Sequence, residues 1–136
     1  MDHLTKEKRS WNMSQIRSKE TKPEIIFRKL IHREGFRYRL YVQNLPGKPD
    51  LVLKKYKTVV FIHGCFWHGH KDCRRASKPK THKKYWYAKI ERNIARDKEN
   101  KKKLRKAGWK VFTVWECKLK NLKTVLKKFK TFVEMV

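Results

Sequence analysis

Acidic residues are scarce in this chain, with 12 Asp and Glu against 38 Lys and Arg, so its 136 residues carry a formal charge of +26. The excess runs along the whole chain, and therefore no single basic tail accounts for it. Such a field attracts polyanions, of which nucleic acid is the first choice because binding releases counterions from phosphates. A solvated surface and an anionic membrane are the alternatives, although no long basic amphipathic segment with a broad apolar face favours the membrane.

Long apolar runs and paired cysteines are also lacking. No stretch approaches the ~18 apolar residues of a membrane span, and no apolar N-terminal segment suggests export. Three cysteines are an odd count, which favours reduced thiols that are available to a metal. We therefore expect a monomeric, cytoplasmic and nucleoid-associated protein without a membrane partner.

The order of the apolar patterns predicts a single α/β domain without repeats or low-complexity blocks. Residues 1–20 are polar and basic, and we expect them to form an arm that contacts DNA in front of a domain over residues 21–136. In chain order we expect helix, strand, hairpin, helix, strand and helix, over residues 21–35, 36–42, 50–62, 85–108, 109–115 and 122–133. The second hairpin strand is apolar throughout, which predicts a central position in the sheet.

Residues 65–73 combine thiols, imidazoles and aromatic rings directly after this apolar strand. If the strand before Cys117 lies beside the strand that ends at Ile62, Cys117 arrives next to that loop. Three thiolates and one imidazole suit tetrahedral zinc, and four protein ligands indicate a structural site. The candidate ligands are Cys65, His70, Cys73 and Cys117. His68 could replace His70 in this set, and buried thiols beside a surface histidine are the alternative to a metal site.

Three carboxylates are candidates for chemistry, and each has a structural alternative. Asp50 follows a Pro-Gly-x-Pro turn and could bind Mg²⁺, which prefers oxygen ligands, or it could cap the turn. Asp97 could orient an imidazole, or it could form a surface ion pair with Lys101. Glu24 could be catalytic, or it could complete a capping box with Thr21.

Five motifs together resemble the very-short-patch repair endonucleases, and the resemblance extends from Arg9-Ser10 to Cys117. They are Pro46-Gly47-Lys48-Pro49-Asp50, His63-Gly64-Cys65-Phe66-Trp67-His68, Asn93 with Arg96-Asp97, Gly108-Trp109 and Val114-Trp115-Glu116-Cys117. Members of that family nick DNA beside a thymine mispaired with guanine, the lesion that deamination of 5-methylcytosine leaves. The resemblance therefore implies a Mg²⁺-dependent strand-nicking endonuclease whose partners are T:G-mismatched duplex DNA and other repair proteins.

The resemblance also implies a restriction-endonuclease-like fold, in which helices flank a central mixed sheet and a structural zinc site is present. The implied magnesium ligands are Asp50 and the backbone carbonyl of Ile62. His68 would activate the attacking water and Asp97 would orient His68, while His63 and Glu24 would support the metal and its water. The implied zinc ligands are Cys65, His70, Cys73 and Cys117.

The implied DNA contacts are aromatic wedges and one methionine. Phe66, Trp67 and Trp86 would insert into the base stack beside the mismatch, and Met13 would press from the opposite groove. Core packing is the alternative for Trp86. Competing interpretations of the whole chain are a nuclease with another target and a zinc-stabilised DNA-binding module without catalysis.

The sequence departs from the family pattern in two places. Ile62 stands where a threonine is expected, which leaves a backbone carbonyl available but removes a hydroxyl. The loop that follows His68 holds Gly69, Lys71 and Asp72 instead of a run of histidines. The strand that carries Ile62 also lacks the acid-x-Lys of restriction-type nucleases, and His63 takes the place of the lysine.

Overall fold

In the part of the chain that the structure describes, the sheet has four strands, and helices pack on both of its faces. The computed structural model describes residues 21–65, 68–71, 73 and 82–135. The helices are α1 (Lys22–Arg33), α2 (Lys83–Lys106) and α3 (Leu122–Glu134). The strands are β1 (Arg39–Leu40), β2 (Leu51–Leu53), β3 (Thr58–His63) and β4 (Lys110–Trp115). Short 3₁₀ helices over Lys54–Tyr56 and Glu116–Lys120 follow β2 and β4.

The order β1-β2-β3-β4 combines antiparallel and parallel pairing, which confirms the predicted mixed sheet. β3 is antiparallel to β2 and parallel to β4. Every residue of β3 is buried, as its continuous apolar sequence predicts for a central strand. In the β3–β4 register His63 pairs with Trp115, so the chain segments that follow these two strands leave the sheet side by side. Cys117 therefore reaches the loop that begins after His63.

Alternation along the strands divides the core into two layers, because successive side chains point to opposite faces of a sheet. One layer packs β2, β3 and β4 against α1 and α3, with Phe27 and Phe129 in edge contact at 5.4 Å. The other layer contains Val59, Phe61 and Val111 with Leu104 of α2. Residues in the rows of Val59 and Val111 therefore face α2, including those at the carboxyl ends of β3 and β4.

The predicted strand over 36–42 is mostly wrong, since only Arg39 and Leu40 pair with β2. Phe36 and Tyr38 instead pack as partly buried side chains on the core from an irregular segment. Tyr41 has a φ of 54°, which is incompatible with extended pairing and ends the strand.

The predicted capping box at α1 is also wrong. Thr21 occupies the N-cap position, but its side chain makes no capping hydrogen bond among the described residues. Glu24 lies in the first turn and is only 5% exposed, so its carboxylate faces the protein interior instead of the helix end. Within the described segments, no helix is both long and apolar enough to cross a bilayer.

Candidate active site and metal centre

Four sulfur and nitrogen donors meet where β3 and β4 end. Each of Cys65, His70, Cys73 and Cys117 offers one donor atom, and these atoms all lie within 4.8 Å of one another. His70 Nδ1 is 3.4 Å from Cys117 Sγ. The three cysteines are free thiols. A group of three thiols and one imidazole at this spacing could hold a metal ion, and its donor set suits zinc.

The protonation of these donors fits a cation site. Burial raises the pKa of the Cys65 thiol to about 12, so this sulfur can become a thiolate at neutral pH only beside a strong positive charge. Burial and the nearby Lys118 lower the pKa of His70, which keeps its imidazole in the neutral form that binds metals. His68 lies outside this cluster, so the geometry favours His70 over His68 as the fourth donor.

Three consecutive residues at the end of β4 hold the loop that carries these donors. The Trp115 ring stacks on the His70 ring with centroids 4.1 Å apart and planes inclined by 8°. Glu116 Oε1 accepts a hydrogen bond of 3.1 Å from the Cys65 amide, and Cys117 supplies a donor. Glu116 thus supports the loop across from it. The sequence reasoning missed Trp115, although the β3–β4 register and strand alternation could have placed it against His63.

A second cluster lies directly beside the first and contains His63, His68 and Asp97. His68 Nδ1 and Asp97 Oδ2 are 2.5 Å apart. Burial raises the pKa of Asp97, but the hydrogen bond with His68 and the nearby positive charge of Arg96 outweigh this effect, so the net shift of the pKa is downward. Asp97 is therefore ionised and acts as the acceptor towards His68 Nδ1, which leaves Nε2 as the other ring nitrogen of His68.

His63 lies flat against His68, with ring centroids 3.8 Å apart and planes inclined by 4°. Burial and the neighbouring His68 lower the pKa of His63 to about 3, so this imidazole stays neutral. His63 is 3% exposed, and its Nδ1 has no hydrogen-bond partner among the described residues. The row of Val59 and Phe61 faces α2, and His63 continues that row towards Asp97.

Asp50 and Glu24 place two carboxyl groups next to each other at the start of β2. Asp50 Oδ2 accepts a 2.6 Å hydrogen bond from the Ile62 amide. Burial raises the pKa of Asp50 to about 7, while the Ile62 amide lowers it and the adjacent Glu24 raises it again. The Tyr41 hydroxyl lies 3.5 Å from Glu24 Oε2. A carboxyl group whose pKa is raised by burial and by an acidic neighbour suits a bound divalent cation. The cation would offset the cost of removing the Asp50 carboxylate from water and the repulsion between Asp50 and Glu24.

Comparisons with known proteins identify the family. The model of the family described as DNA mismatch endonuclease Vsr matches residues 1–75. A relative named DNA mismatch endonuclease Vsr, from Escherichia coli, is 39% identical over 113 residues, which cover 83% of this chain and 72% of the relative. The chain belongs to the Vsr family. The type II nicking enzyme V.NmeAIP from Neisseria meningitidis is 53% identical over 120 residues, covering 88% of this chain and 85% of that enzyme.

A solved structure confirms the fold expected for a Vsr-family chain. The catalytic domain of the homing endonuclease I-Bth0305I superposes with a TM-score of 0.59 over 83% of this chain and 94% of that domain. Its sequence identity is 20%, so this likeness concerns the fold alone. The mixed sheet with flanking helices in this chain is the fold predicted from its sequence.

Most of the residues expected to contact DNA in this Vsr-family chain lie outside the described part. Met13, Phe66 and Trp67 fall there, so their roles stay predictions. Trp86 lies near the start of α2, is partly buried and contacts Tyr85 edge to face at 5.0 Å. Trp86 belongs to neither core layer of the described residues, which argues against core packing as its main role.

Lys101 is a cation near the site that sequence reasoning treated only as a surface ion-pair partner. It lies on α2 one turn after Asp97 and is partly buried. Burial lowers the pKa of Lys101, Asp97 raises it and Arg105 lowers it. Its charge also helps to lower the pKa of His63, so Lys101 lies close to the histidine pair.

Proposed function

We propose that this Vsr-family chain is a DNA endonuclease that nicks one strand of a duplex beside a T:G mismatch. The observation that carries the proposal is the His68–Asp97 pair, 2.5 Å apart, beside the acidic pair of Asp50 and Glu24. His68 lies near Asp50, since the two groups interact electrostatically. A proton acceptor and a cation-binding carboxylate thus share one small site, as hydrolysis of a phosphodiester requires.

In the proposed reaction His68 Nε2 takes a proton from the attacking water. Asp97 holds the His68 ring by its Nδ1–H and stabilises the imidazolium that forms. His63 supports the other face of the His68 ring through flat stacking. Mg²⁺ bound by Asp50 and the Ile62 carbonyl, with Glu24 near them, would neutralise charge on the phosphate. Lys101 is placed to contribute further positive charge close to the histidines.

The proposed substrate is duplex DNA, and the net charge of +26 supports a polyanionic partner. Phe66, Trp67 and Trp86 are proposed to enter the base stack, with Met13 in the opposite groove. Wedges of this kind favour a mismatch because its stacking is weaker than that of a matched pair. The relatives support the target class, since one is named a mismatch endonuclease and another a type II nicking enzyme.

A nicking assay tests the proposal. Purified protein is incubated with Mg²⁺ and end-labelled duplexes that are matched, T:G mismatched or otherwise mismatched. We expect nicking of one strand of the T:G duplex, and we expect Asp50→Ala and His68→Ala to lower its rate at least 10²-fold with DNA affinity retained. Glu134→Ala and His32→Ala, at exposed positions, are the matched controls and should keep full activity.

Each alternative function predicts a different outcome of this assay. Equal nicking of all duplexes, or nicking of a different mismatch, would replace the T:G target with another one on the same nuclease fold. Binding without nicking under any metal condition would leave a zinc-stabilised DNA-binding module. The ionised Asp97 held against His68 argues against that module, because a buried carboxylate weakens binding to phosphates.

A further inference from the structure

The loop that carries His68 lies against one face of α2. Ile90, Ile94 and Asp97 are four and three residues apart, so their side chains share a helix face. Ile90 is fully buried, whereas Ile94 is 43% exposed. Asp97 on this face meets His68 at 2.5 Å. The distance between this loop and α2 therefore decides whether His68 can reach its carboxylate.

Gly69 is the residue at which the loop comes closest to this face. A Cβ added at Gly69 would lie 2.8 Å from Ile90 Cγ2 and 2.7 Å from Ile94 Cδ1, closer than side-chain carbons pack. The Ile94 methyl group is the tip of an exposed side chain and can turn away. Ile90 Cγ2 is fixed at the branch point of a fully buried residue, so it cannot yield without moving the helix or the loop.

The backbone at Gly69 also has a φ of +58°, which residues with a Cβ adopt only at a cost. The close contact with Ile90 and the positive φ both concern Gly69, the single residue between His68 and His70. Backbone hydrogen bonds hold the loop on both sides of Gly69, from the His68 amide to the Gly64 carbonyl at 3.2 Å and from the His70 amide to the Cys65 carbonyl at 2.9 Å. The His70 side is held more firmly, because its hydrogen bond is shorter and the His70 ring also stacks on Trp115. A side chain at position 69 would therefore displace the His68 side of the loop away from α2.

We infer that Gly69 is a positioning residue for His68, because its missing side chain lets the loop approach Ile90 closely enough for the His68–Asp97 hydrogen bond to form. This inference rests on the proposed function in one respect, that His68 is the proton acceptor. The geometric part, that Gly69 sets the His68–Asp97 distance, stands independently of the reaction.

Two other glycines separate the effect of backbone strain from the effect of crowding. Gly35 and Gly108 have φ values of +96° and +93°, and a Cβ at either position would meet nothing within 4 Å. Alanine at these positions carries the strain of a positive φ without a clash and away from the site. Gly35→Ala and Gly108→Ala are therefore matched controls for Gly69→Ala.

The experiment compares these three variants with the parent protein by nicking rate, DNA affinity, zinc content and proton NMR. For Gly69→Ala we expect kcat to fall about 30- to 100-fold, as a displacement near 1 Å does to a catalytic group. DNA affinity should stay within about threefold and zinc content should be unchanged, because binding surfaces and the four donors remain. The two control variants should keep the parent kcat, with free energies of unfolding lowered about as much as that of Gly69→Ala or less.

NMR reports the geometry without any turnover. The proton shared by His68 Nδ1 and Asp97 should resonate far downfield in the parent protein, and its loss in Asp97→Asn assigns it. In Gly69→Ala this resonance should move upfield or broaden through exchange with solvent, and in the two control variants it should not change. If the parent protein nicks no duplex, the proposed function fails, but this resonance still decides the inference about Gly69.

A second substitution tests whether crowding against Ile90 causes the loss of activity in Gly69→Ala. Ile90→Leu removes the branch methyl that would lie 2.8 Å from a Cβ at position 69 and keeps side-chain volume, so alone it should change kcat less than about threefold. In Gly69→Ala/Ile90→Leu we expect at least a fivefold recovery of kcat over Gly69→Ala and a return of the downfield resonance. Full activity of Gly69→Ala, an equal loss in the control variants, loss of zinc, or no recovery with Ile90→Leu would each overturn the inference.

Discussion

Two groups of polar side chains share the segment from His63 to Cys73, and they differ in chemistry and in completeness. The cysteine-rich group has four protein donors from two segments, and its sulfur atoms are soft ligands. The group around Asp50 and His68 offers carboxylates and imidazoles. Asp50 and Glu24 are suited to a hard cation, whereas the third carboxylate, Asp97, is engaged by His68. His68 lies between Cys65 and His70 in sequence, so neighbouring residues belong to different groups.

The difference indicates two kinds of metal site. A complete set of four protein donors leaves no position for water or substrate, which is the arrangement of a structural zinc site. An acidic pair with few protein ligands leaves positions open for water and phosphate, which is the arrangement that magnesium uses with nucleic acid substrates. We therefore expect changes in the first group to act on stability and changes in the second to act on catalysis.

The largest effect should follow from Asp97→Asn. An asparagine keeps the size of the side chain but no longer requires a proton on His68 Nδ1, so the ring loses its orientation and tautomer. We expect kcat for nicking to fall on the order of 10³-fold, with zinc content and DNA affinity unchanged. Single-turnover nicking of a T:G duplex measures the change. Loss of zinc in this variant would show that the two groups are not separate.

The next effect should follow from Cys117→Ser, which removes one donor of the cysteine-rich group. Zinc content should fall below one equivalent, and the free energy of unfolding should drop on the order of 3 kcal/mol, because the loop then loses the metal-mediated one of its anchors to the end of β4. Urea denaturation with metal analysis measures both quantities. Thr113→Ser, a change on β4 away from the donors, is the control. Unchanged zinc and stability would contradict a structural role for this group.

A smaller effect should follow from Asp50→Asn in metal-free protein, and it should depend on pH. The pKa of Asp50 is raised from its usual 3.8 to about 7, so folding disfavours the ionised form. This penalty is absent below about pH 4, grows between pH 4 and 7, and is complete above pH 7. Asparagine should therefore raise the free energy of unfolding by about 2 kcal/mol at pH 8, about half of what the full shift of the pKa gives because solvent reaches part of the carboxyl group, and hardly at all at pH 4.

Urea denaturation at a series of pH values checks this prediction, and Glu134→Gln at an exposed position is the control. Added Mg²⁺ should reduce the difference between Asp50→Asn and the parent protein, since a cation at Asp50 stabilises the ionised carboxylate. A stability difference that does not change with pH would contradict the buried position of Asp50 beside Glu24.

The smallest effect should follow from Trp115→Leu, because Trp115 contacts both groups without belonging to either. Its ring stacks on His70 and meets His63 edge to face at 5.1 Å. Losing these contacts should weaken zinc binding and lower kcat by up to about tenfold each, whereas Trp115→Phe should recover part of both. Competition with a zinc chelator and nicking kinetics measure the two effects. A change in only one of them would show that Trp115 serves a single group.

Sequence alone predicts a good part of this fold and of both groups. The apolar stretch from Thr58 to Ile62 predicts the central strand, and the strand before Cys117 is adjacent to it as expected. The zinc donor set follows from the chemistry of cysteine and histidine. The choice between His68 and His70 depends on the path of a short loop, which spacing does not specify.

The features that the sequence predicts wrongly or not at all depend on contacts between distant parts of the chain. Glu24 has the local signature of a capping residue, but its position beside Asp50 depends on how α1 packs on the sheet. The strand expected from Phe36 alternates correctly, yet the positive φ of Tyr41 shortens it. The close approach of Gly69 to Ile90 depends on the position of α2 over the loop, which neither local sequence encodes.

The separation of the two groups is tested most directly by His68→Ala and His70→Ala measured side by side. Zinc content and nicking of a T:G duplex are determined for both variants. We expect His68→Ala to retain one zinc and to lose nicking at least 10²-fold, and His70→Ala to lose zinc. Loss of zinc in His68→Ala with zinc retained in His70→Ala would contradict the account, because His68 would then be the metal ligand and not the proton acceptor.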